Sequence, residues 1–396
     1  MLLSTAVVDD TQRQSCRILV ALSGGVDSAI AAARLVDAGH EVIGVTFRLW
    51  QEPVPAPEPG APGPRDAVAD ARRVAESIGI PHRIVDQRQH FAATVVTPFV
   101  DAYLSGQTPS PCVYCNRQIK LHSLLQLADE LGAAAVATGH YARVRRDGGG
   151  RSHLLRSRAG GKDQSYFLYR LVGPGLERLV LPLGDSDKPT VRAEAAARGL
   201  PNASRSESQE LCFVADGDYA AFVERQAPDR IQPGPLLDRA GQPLGQHGGI
   251  HRFTIGQRRG LGVALGHPAF VTRIDGQRQA VTVGTEADIL APGALLTDWI
   301  GAEDVSLPLS ADVQIRSQHR ACAARLTARA AAEPAAGVVV RFDAPVRAIS
   351  PGQAAVAYHG DRVLGGGRIV RSLDSTAVRA AAQLDPRRSD SETTPE

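Results

Sequence analysis

A chain of 396 residues with 43% hydrophobic and 22% charged residues has the composition of a globular protein with a sizeable core and two or three domains. Its formal net charge of +2 excludes a uniformly basic surface, so any patch that binds nucleic acid must be local. No apolar run is long enough for a membrane span, and the first fifteen residues lack the basic segment of a signal peptide. Five cysteines, an odd number, suit a reducing compartment, so we expect a cytoplasmic protein.

The first regular element that the sequence predicts is a buried strand at residues 17–22. Residues 23–28 (SGGVDS) follow as a tight turn, and a strong helix former continues from there to Gly39. A strand, a glycine turn and a helix N-terminus together form a cradle for phosphate, because glycine lets backbone N–H groups approach an anion and the helix dipole adds positive charge. A second strand at 41–47 predicts a parallel βαβ unit.

The next hundred residues continue the alternation of strands and helices. The Pro-rich stretch 53–64 predicts a surface loop, 66–78 a helix and 82–85 a strand. A further helix at 91–105 contains Pro98, so we expect it to be kinked or broken there.

The segment 108–116 (TPSPCVYCN) carries two cysteines three residues apart, in an extended turn held by two prolines. We expect this turn to precede a helix at 119–131 and a strand at 134–138. A helix N-terminus lowers the pKa of a nearby thiol, which predicts a reactive thiolate here. Half a zinc site and a redox pair are the alternatives; zinc normally takes four ligands, and a redox pair leaves the phosphate loop unexplained.

Alternation up to about residue 215 predicts a doubly wound α/β domain, whose ligands gather at the carboxyl ends of the strands. From 217 the sequence becomes glycine-rich with short alternating segments, which indicates a small, mostly β region. Beyond 290 the spacing predicts a β-barrel with turns at 344–345, 350–352 and 360–361. Its expected strands are 312–316, 322–328, 337–342, 346–349, 354–358 and 363–370.

The loop Ser-Gly-Gly-x-Asp-Ser resembles the PP-loop of the ATP pyrophosphatases, which cleave ATP between the α and β phosphates. Further segments follow it in the order found in one family of that superfamily, the tRNA-specific 2-thiouridylases, and the resemblance covers about residues 17–370. These segments are TPSPCVYCN, ATGHYARV, GKDQSYFLYRL, PLGDSDKP, SQELCFV, GGIHRFTIGQRRGLG, SPGQAAVAY and LGGGRI.

The resemblance implies an α/β fold class with an N-terminal doubly wound PP-loop domain, a small mostly-β central domain and a C-terminal β-barrel that binds tRNA. The expected boundaries are a flexible leader 1–15, the catalytic domain 16–216, the central domain 217–289, the barrel 290–374 and a disordered tail 375–396. The implied reaction is ATP-dependent 2-thiolation of the wobble uridine of tRNA.

Position by position, the resemblance implies that Cys115 is the nucleophile and that Cys212 bears a persulfide. Without this context, a single cysteine among apolar neighbours such as Cys212 is more often buried filler. The residues implied to bind ATP are Ala21, Leu22, Ser23, Gly24, Gly25, Val26, Asp27, Ser28, Phe47 and Gly139. Those implied to contact the target base are Ser110, Pro111 and Cys112, and those implied to contact tRNA are Lys162, Asp163, Gln164, Arg316 and Ser317.

The implied cosubstrate is ATP with Mg²⁺, and the implied partners are tRNA and a cysteine desulfurase or sulfur-carrier protein. Cys112, Cys115 and Cys212 together leave an iron–sulfur cluster open as a rival to the persulfide route. Ser110, Glu207 and Ser317 depart from the residues common in the family. The alternative functions are another PP-loop ligase or amidating synthetase, which would not need the cysteines, and an inactive tRNA-binding protein.

Overall fold

The computed structural model describes residues 15–50, 66–159, 161–204, 211–214, 217–263, 266–329 and 337–378. The expected leader 1–15, except its last residue, the Pro-rich loop 53–64 and Glu207 therefore lie outside the described residues. The chain divides into two compact units. The first comprises residues 1–97, 111–218 and 361–363, and the second comprises 98–110, 219–360 and 364–396. Within the described residues, no helix has the length and apolar character needed to cross a membrane.

A five-stranded parallel sheet forms the centre of the first unit, in the order β3–β2–β1–β4–β7. In the central strand β1, Ile18, Leu19 and Val20 are fully buried, which explains why this strand is a continuous aliphatic run. The strands are β1 (Arg17–Ala21), β2 (Glu41–Arg48), β3 (His82–Asp86), β4 (Ala135–Ala137) and β7 (Leu179–Val180). The sheet confirms the α/β class, and the parallel β1–β2 pair confirms the expected βαβ unit.

The local sequence explains the buried face or the ends of three regular helices in this unit. In α1 (Val26–Asp37) the alanine-rich run is buried against the sheet. The helix α2 (Ala67–Ile78) begins at Asp66, whose carboxylate accepts a hydrogen bond from the Val68 N–H at 2.9 Å, and ends at the left-handed Gly79. The helix α8 (Lys188–Ala197) is capped in the same way by Asp187.

Two helical segments contain π-helical turns. The helix α3 (Arg88–Phe91) continues through a π-helical turn (Ala92–Val96) into α4 (Thr97–Leu104), so the irregularity expected near Pro98 falls in the turn before it. The helix α5 (Pro111–Tyr114) continues through a π-helical turn (Cys115–Leu121) into α6 (His122–Glu130).

The cysteines at 112 and 115 lie inside this second helical segment, and not in a turn before it as the sequence suggested. The helix begins at Pro111, eight residues before the expected start. Proline suits the first position of a helix because its ring presets φ and its missing N–H would have no partner there. The expectation that both prolines hold an extended turn was therefore wrong for Pro111, which begins a helix.

The remaining described elements of the first unit are short. An antiparallel hairpin, β5 (Ala142–Arg146) and β6 (Ser152–Arg156), interrupts the parallel alternation and was not expected. The helix α7 (Ser165–Leu168) is followed by the 3₁₀ turns Tyr169–Leu171 and Leu176–Arg178.

The second unit contains a helix, a small mixed sheet and a barrel. The helix is α9 (Tyr219–Gln226), and three 3₁₀ turns accompany the strands (Pro228–Arg230, Ile250–Arg252 and Glu286–Ile289). The sheet has the order β10–β11–β8–β9, which confirms a mostly β central region. Its strands are β8 (Gly234–Leu237), β9 (Pro243–His247), β10 (Phe270–Asp275) and β11 (Ala280–Gly284).

Six strands form a closed antiparallel barrel in the order β12–β15–β14–β13–β16–β17, and β12 pairs with β17 to complete it. The barrel itself is confirmed, but two details differ from expectation. The strand at 290–301 was not expected, and the turn expected at 344–345 lies inside one long strand. The strands are β12 (Leu290–Gly301), β13 (Leu309–Gln314), β14 (Cys322–Ala328), β15 (Val338–Arg347), β16 (Ala354–His359) and β17 (Arg362–Leu373).

The first residues of the expected disordered tail are ordered. Residues 375–378 form a helical turn, and Val378 is buried against Leu295, Val339 and Leu373 of the barrel. Burial of this apolar side chain explains why the turn is held. The tail beyond residue 378 lies outside the described part of the chain.

Candidate functional site

The loop at residues 23–28 lies at the carboxyl end of β1 and leads directly into α1. Ser28 Oγ accepts a hydrogen bond from the Ser23 N–H at 3.2 Å and donates one to the Gly25 carbonyl at 3.0 Å, which closes the loop on itself. Gly25 is the N-cap residue of α1, and no side chain caps this helix end. The first-turn N–H groups therefore form an anion-binding end.

Two glycines are required by the shape of this loop. Gly24 has a φ of 72°, a conformation that favours glycine. A Cβ on Gly139 would lie 2.7 Å from both the Asp27 carbonyl carbon and the Ser28 nitrogen, so the chain after β4 packs directly on the loop backbone. The structure thus brings together two of the segments that the sequence predicted for ATP.

The carboxylate of Asp27 is held by two residues that sequence reasoning missed. Lys188 Nζ lies 2.6 Å from Oδ1 and 2.7 Å from Oδ2, and the Tyr141 hydroxyl donates to Oδ1 at 2.6 Å. Both residues lie inside motifs already noted, PLGDSDKP and ATGHYARV, and that was the signal available. Asp27 thus places a carboxylate in the first turn of α1, where a lysine ammonium and a tyrosine hydroxyl bind it.

The other residues predicted for ATP line the same edge of the sheet. Ala21 ends β1, Leu22 follows it with its N–H bonded to the Val45 carbonyl at 2.8 Å, and Val26 is buried in the first turn of α1. Phe47 lies near the end of β2, half-buried. Asn202 was not predicted; its amide donates to the Gly24 carbonyl at 3.0 Å and steadies the loop.

Cys115 is buried in the π-helical turn, whereas Cys112 in α5 is half-buried. Burial raises the pKa of both thiols, that of Cys115 to about 11, and Lys120 opposes this rise. The expectation of a thiolate stabilised by a helix N-terminus is therefore wrong for the protein without ligands. Desolvation of the sulfur outweighs the positive charge nearby.

Cys212 belongs to a short described segment anchored by its neighbours. Phe213 is buried and meets the Phe91 ring edge to face, with centroids 5.7 Å apart, and Val214 is also buried. The residue Cys212 is exposed, yet enough protein surrounds its sulfur to raise the thiol pKa, again with Lys120 opposing. The Cys212 sulfur lies near enough to Cys112 and Cys115 for its negative charge to raise the pKa of both thiols.

Two further ionisable groups complete this cluster of sulfurs. Lys120, in the π-helical turn, interacts with the sulfurs of all three cysteines, and their negative charge raises its pKa although burial acts the other way. Burial lowers the pKa of His140 to about 3, with a smaller contribution from Lys120. His140 Nδ1 lies 2.8 Å from Thr138 Oγ1, so the imidazole is neutral and held in place.

The cysteine cluster does not have the arrangement of a metal site. Among the described residues, which include all five cysteines, no three His, Cys, Asp or Glu side chains are placed to hold a metal ion. The donor set therefore does not fit the iron–sulfur cluster considered from the sequence, and we assign no metal-ligand role to these cysteines.

The residues predicted to contact the target base fall in both units, since Ser110 ends a segment of the second unit and Pro111 begins a segment of the first. Ser110 and Pro111 are buried. Within the second unit, the chain just before Ser110 is held by the SPGQ motif, because Gln353 Nε2 donates to the Thr108 carbonyl at 3.1 Å. Contact with a base stays a prediction for these residues.

In the triplet predicted to contact tRNA, Asp163 and Gln164 have partners inside the unit. Asp163 accepts from the Ser157 N–H at 2.9 Å and from Arg156 Nη1 at 2.9 Å. Gln164 Oε1 accepts from the Tyr141 N–H at 2.9 Å. These side chains hold the loop that presents half-buried Lys162, and contact of the triplet with tRNA stays a prediction.

Arg316 and Ser317 lie in the exposed turn after β13. Buried Gln314 donates from Nε2 to their carbonyls, at 3.0 Å and 2.8 Å. This leaves both side chains on the surface, where a phosphate could reach the guanidinium. Their contact with tRNA also stays a prediction.

Family models match most of the chain. The tRNA methyl transferase HUP domain matches residues 16–216, the tRNA methyl transferase PRC-barrel domain matches 220–285, and the aminomethyltransferase beta-barrel domain matches 295–369. The fold and the site therefore define a HUP-type nucleotide-binding domain followed by two β-rich domains.

Full-length relatives narrow this class. The chain is 52% identical to the tRNA-specific 2-thiouridylase MnmA of Sorangium cellulosum (strain So ce56), over 94% of this chain and 97% of that protein. It is 46% identical to the protein of the same description from Geobacter metallireducens, over 91% and 98%. The chain belongs to the tRNA-specific 2-thiouridylase family. A solved 4-thiouridine synthetase–RNA complex with bound ATP covers 54% of this chain and 51% of its own, at 22% identity and a TM-score of 0.32, which is too low to support an argument.

Proposed function

We propose that this protein is an ATP-dependent tRNA-uridine 2-sulfurtransferase that converts the wobble uridine to 2-thiouridine and releases AMP and pyrophosphate. The observation that carries the proposal is the pairing, in one compact unit, of an uncapped anion-binding loop with two cysteine sulfurs that share one lysine. A ligase or amidating synthetase needs the loop but not the sulfurs.

The loop performs the first half of the reaction. The uridine O2 attacks the α-phosphorus of ATP, the bond to the β-phosphate breaks, and pyrophosphate leaves with the electron pair as the N3 proton is lost. The N–H groups at the start of α1 bind the phosphates, and Gly139 lets the chain after β4 pack directly on the backbone of this loop. Adenylation makes the oxygen a good leaving group.

Asp27 suits the magnesium ion that accompanies ATP, since this ion usually takes one or two carboxylates together with substrate phosphates. Asp27 would hold it, with Lys188 giving up the carboxylate. The bound ion supplies positive charge to the departing pyrophosphate.

The cysteines perform the second half. The terminal sulfur of a Cys212 persulfide attacks C2 and AMP leaves with the C2–O electron pair. Cys115 then attacks the inner sulfur, which forms a Cys115–Cys212 disulfide and releases the outer sulfur as the thiocarbonyl, and N3 regains its proton. A thiol reductant then cleaves this disulfide, which restores the thiols of Cys115 and Cys212 and oxidises the reductant. Release of sulfide by Cys115 is the alternative route.

Two kinds of partner follow from this scheme. The tRNA must present its uridine out of the base stack, with Arg316 and Lys162 as candidate phosphate contacts. A cysteine desulfurase, directly or through a carrier protein, charges Cys212 with sulfur. We place the reaction in the cytoplasm, where such thiols stay reduced.

A reconstituted assay tests the proposal. The full chain is incubated with ATP, Mg²⁺, a persulfide donor and unmodified tRNA, and the digested nucleosides are analysed by mass spectrometry. We expect 2-thiouridine, with one pyrophosphate released per thiolation, and no product from a tRNA with cytidine at the wobble position. Pyrophosphate release that is independent of tRNA, with no thiolated product, would favour the small-molecule ligase.

A further inference from the structure

Lys120 occupies a position that its helix would not ordinarily give it. In a π-helical turn the backbone hydrogen bond joins residues i and i+5, so Cys115 and Lys120 lie about one turn apart on the same face. In an α-helix the residue five positions on would point about 140° away. The π-helical turn therefore aims this lysine at the cysteine side of the helix.

The surroundings of Lys120 come from three separate segments of the unit. Cys112 and Cys115 lie on its own helical segment, Cys212 on the segment 211–214, and His140 follows β4. Among the described titratable groups, the three cysteines are those whose charge raises the pKa of its ammonium, and no described carboxylate forms an ion pair with it. Within the described part of the chain, the titratable groups near Lys120 are thus three thiols and one imidazole.

The composition of the chain gives an independent indication. Of 44 Lys and Arg residues only three are lysines: Lys162 and Lys188 lie inside segments of the family resemblance, and Lys120 follows the segment TPSPCVYCN by four residues. Elsewhere the chain uses arginine. An ammonium is a compact point charge, whereas a guanidinium is a broad planar fork, so the three lysines mark the positions where this chain uses the compact cation.

We propose that Lys120 is a positioning residue that holds the sulfurs of Cys115 and Cys212 at one shared cation and stabilises the negative charge that either sulfur carries during transfer. The proposal rests on the thiolation function proposed above. When the Cys115 thiolate attacks the inner sulfur of Cys212, negative charge leaves the Cys115 sulfur and develops on the outer sulfur. The Lys120 ammonium stabilises the negative charge on each of these sulfurs from the same position.

The electrostatics of the cluster agree with this role. Burial alone keeps both thiols neutral at physiological pH, and the nearby imidazole is also neutral, since its pKa lies near 3. The positive charge of Lys120 lowers the pKa of each of the three thiols. Its own pKa is raised by the sulfurs, so it stays charged in spite of burial.

The test measures thiol reactivity, and therefore needs neither ATP nor tRNA. Alkylation of Cys115 and Cys212 by iodoacetamide is followed residue by residue with mass spectrometry between pH 6 and 11. In Lys120→Met we expect both rates at pH 8 to fall about tenfold, as a rise of one unit in thiol pKa requires. Lys120→Arg, which keeps a cation, should lie closer to the wild type.

Arg117→Met is the matched control, because it removes a cation from the same π-helical turn and should leave both profiles unchanged. Thermal unfolding establishes that each variant is folded, and Lys120→Gln replaces the Met variant if that one is not. Profiles of a folded neutral variant that superimpose on the wild type would overturn the proposal. This alkylation test does not measure catalysis. Its result therefore does not depend on the outcome of the thiolation assay.

Discussion

Lys188 Nζ lies 2.6 Å and 2.7 Å from the two carboxylate oxygens of Asp27, 161 residues away along the chain. The lysine side chain is 11% exposed and the aspartate 32%, so the pair is shielded much better than a surface ion pair. It joins the start of α8 to the phosphate loop at the start of α1. The pair thus fixes the loop to the start of α8 and gives the Asp27 carboxylate a cation.

Lys188→Met should destabilise the fold, because it leaves a partly buried carboxylate without its cation. We expect a loss of about 1.5–3 kcal/mol in the free energy of unfolding, the range for hydrogen bonds to charged groups. Urea titration measures it. Asp27→Asn in the Lys188→Met background should lower the free energy of unfolding little further, because the interaction between the two side chains is already lost.

Arg158→Met serves as the control for this pair. Arg158 and Asp185 form an ion pair whose side chains are 63% and 54% exposed. Such a pair contributes at most about 1 kcal/mol. Equal losses for the two single variants would show that the Lys188–Asp27 contact is no stronger than a surface pair.

Gly139→Ala should damage the loop directly. Its Cβ would meet two backbone atoms of residues 27 and 28 at 2.7 Å, and backbone cannot move aside as a flexible side chain does. We expect the KM for ATP to rise several-fold and the fold to lose about 1–3 kcal/mol, the usual cost of overpacking. Steady-state pyrophosphate release and urea titration measure the two effects. Gly148→Ala has open space around its Cβ and should change neither; unchanged ATP kinetics in Gly139→Ala would contradict the account.

Acid should destabilise the protein partly through His140. Burial lowers its pKa to about 3 in the folded state, against about 6.5 for an ordinary histidine, so the unfolded chain takes up the proton first as the pH falls. The stability that His140 contributes is present above pH 6.5 and is lost between there and pH 3. The free energy of unfolding should therefore fall more steeply with acid in the wild type than in His140→Gln. Parallel curves from pH 7.5 to 4.5 would show that the folded protein does not lower the pKa of His140.

The barrel surface offers a test of the predicted tRNA contact. Arg316→Ala should weaken tRNA binding and reduce the slope of log K against log salt by about one, because one phosphate contact is lost. Filter binding at several salt concentrations measures both. Arg83→Ala, an exposed arginine on β3 outside every motif, is the control. An unchanged salt slope in Arg316→Ala would exclude this residue from the interface.

The elements that the sequence predicted well are those with local causes. An aliphatic run predicted β1 because that strand is buried on both faces, and the cap at Asp66 and left-handed Gly79 fixed the ends of α2. Pro111 could stand in a turn or at a helix start, and its local sequence does not distinguish them. The barrel strand β12 carries Pro292 and Gly293, which read as a break although pairing with β15 and β17 holds it extended.

The residues missed at the site depend on contacts between distant segments. Lys188 and Tyr141 meet Asp27 only once the sheet has brought three loops to one edge. Lys120 faces the cysteines because of a π-helical turn, for which no residue pattern is specific. The scarcity of lysine was visible in the chain from the start, and it marks both Lys120 and Lys188.

The most direct measurement of the central claim is thiolation by Cys212→Ser, with Cys322→Ser as the control that removes a thiol from the barrel. The account predicts that Cys212→Ser still releases pyrophosphate when tRNA is present but forms no 2-thiouridine, whereas Cys322→Ser does both at the wild-type rate. Formation of 2-thiouridine by Cys212→Ser at the wild-type rate would contradict the assignment of the transferred sulfur to this cysteine.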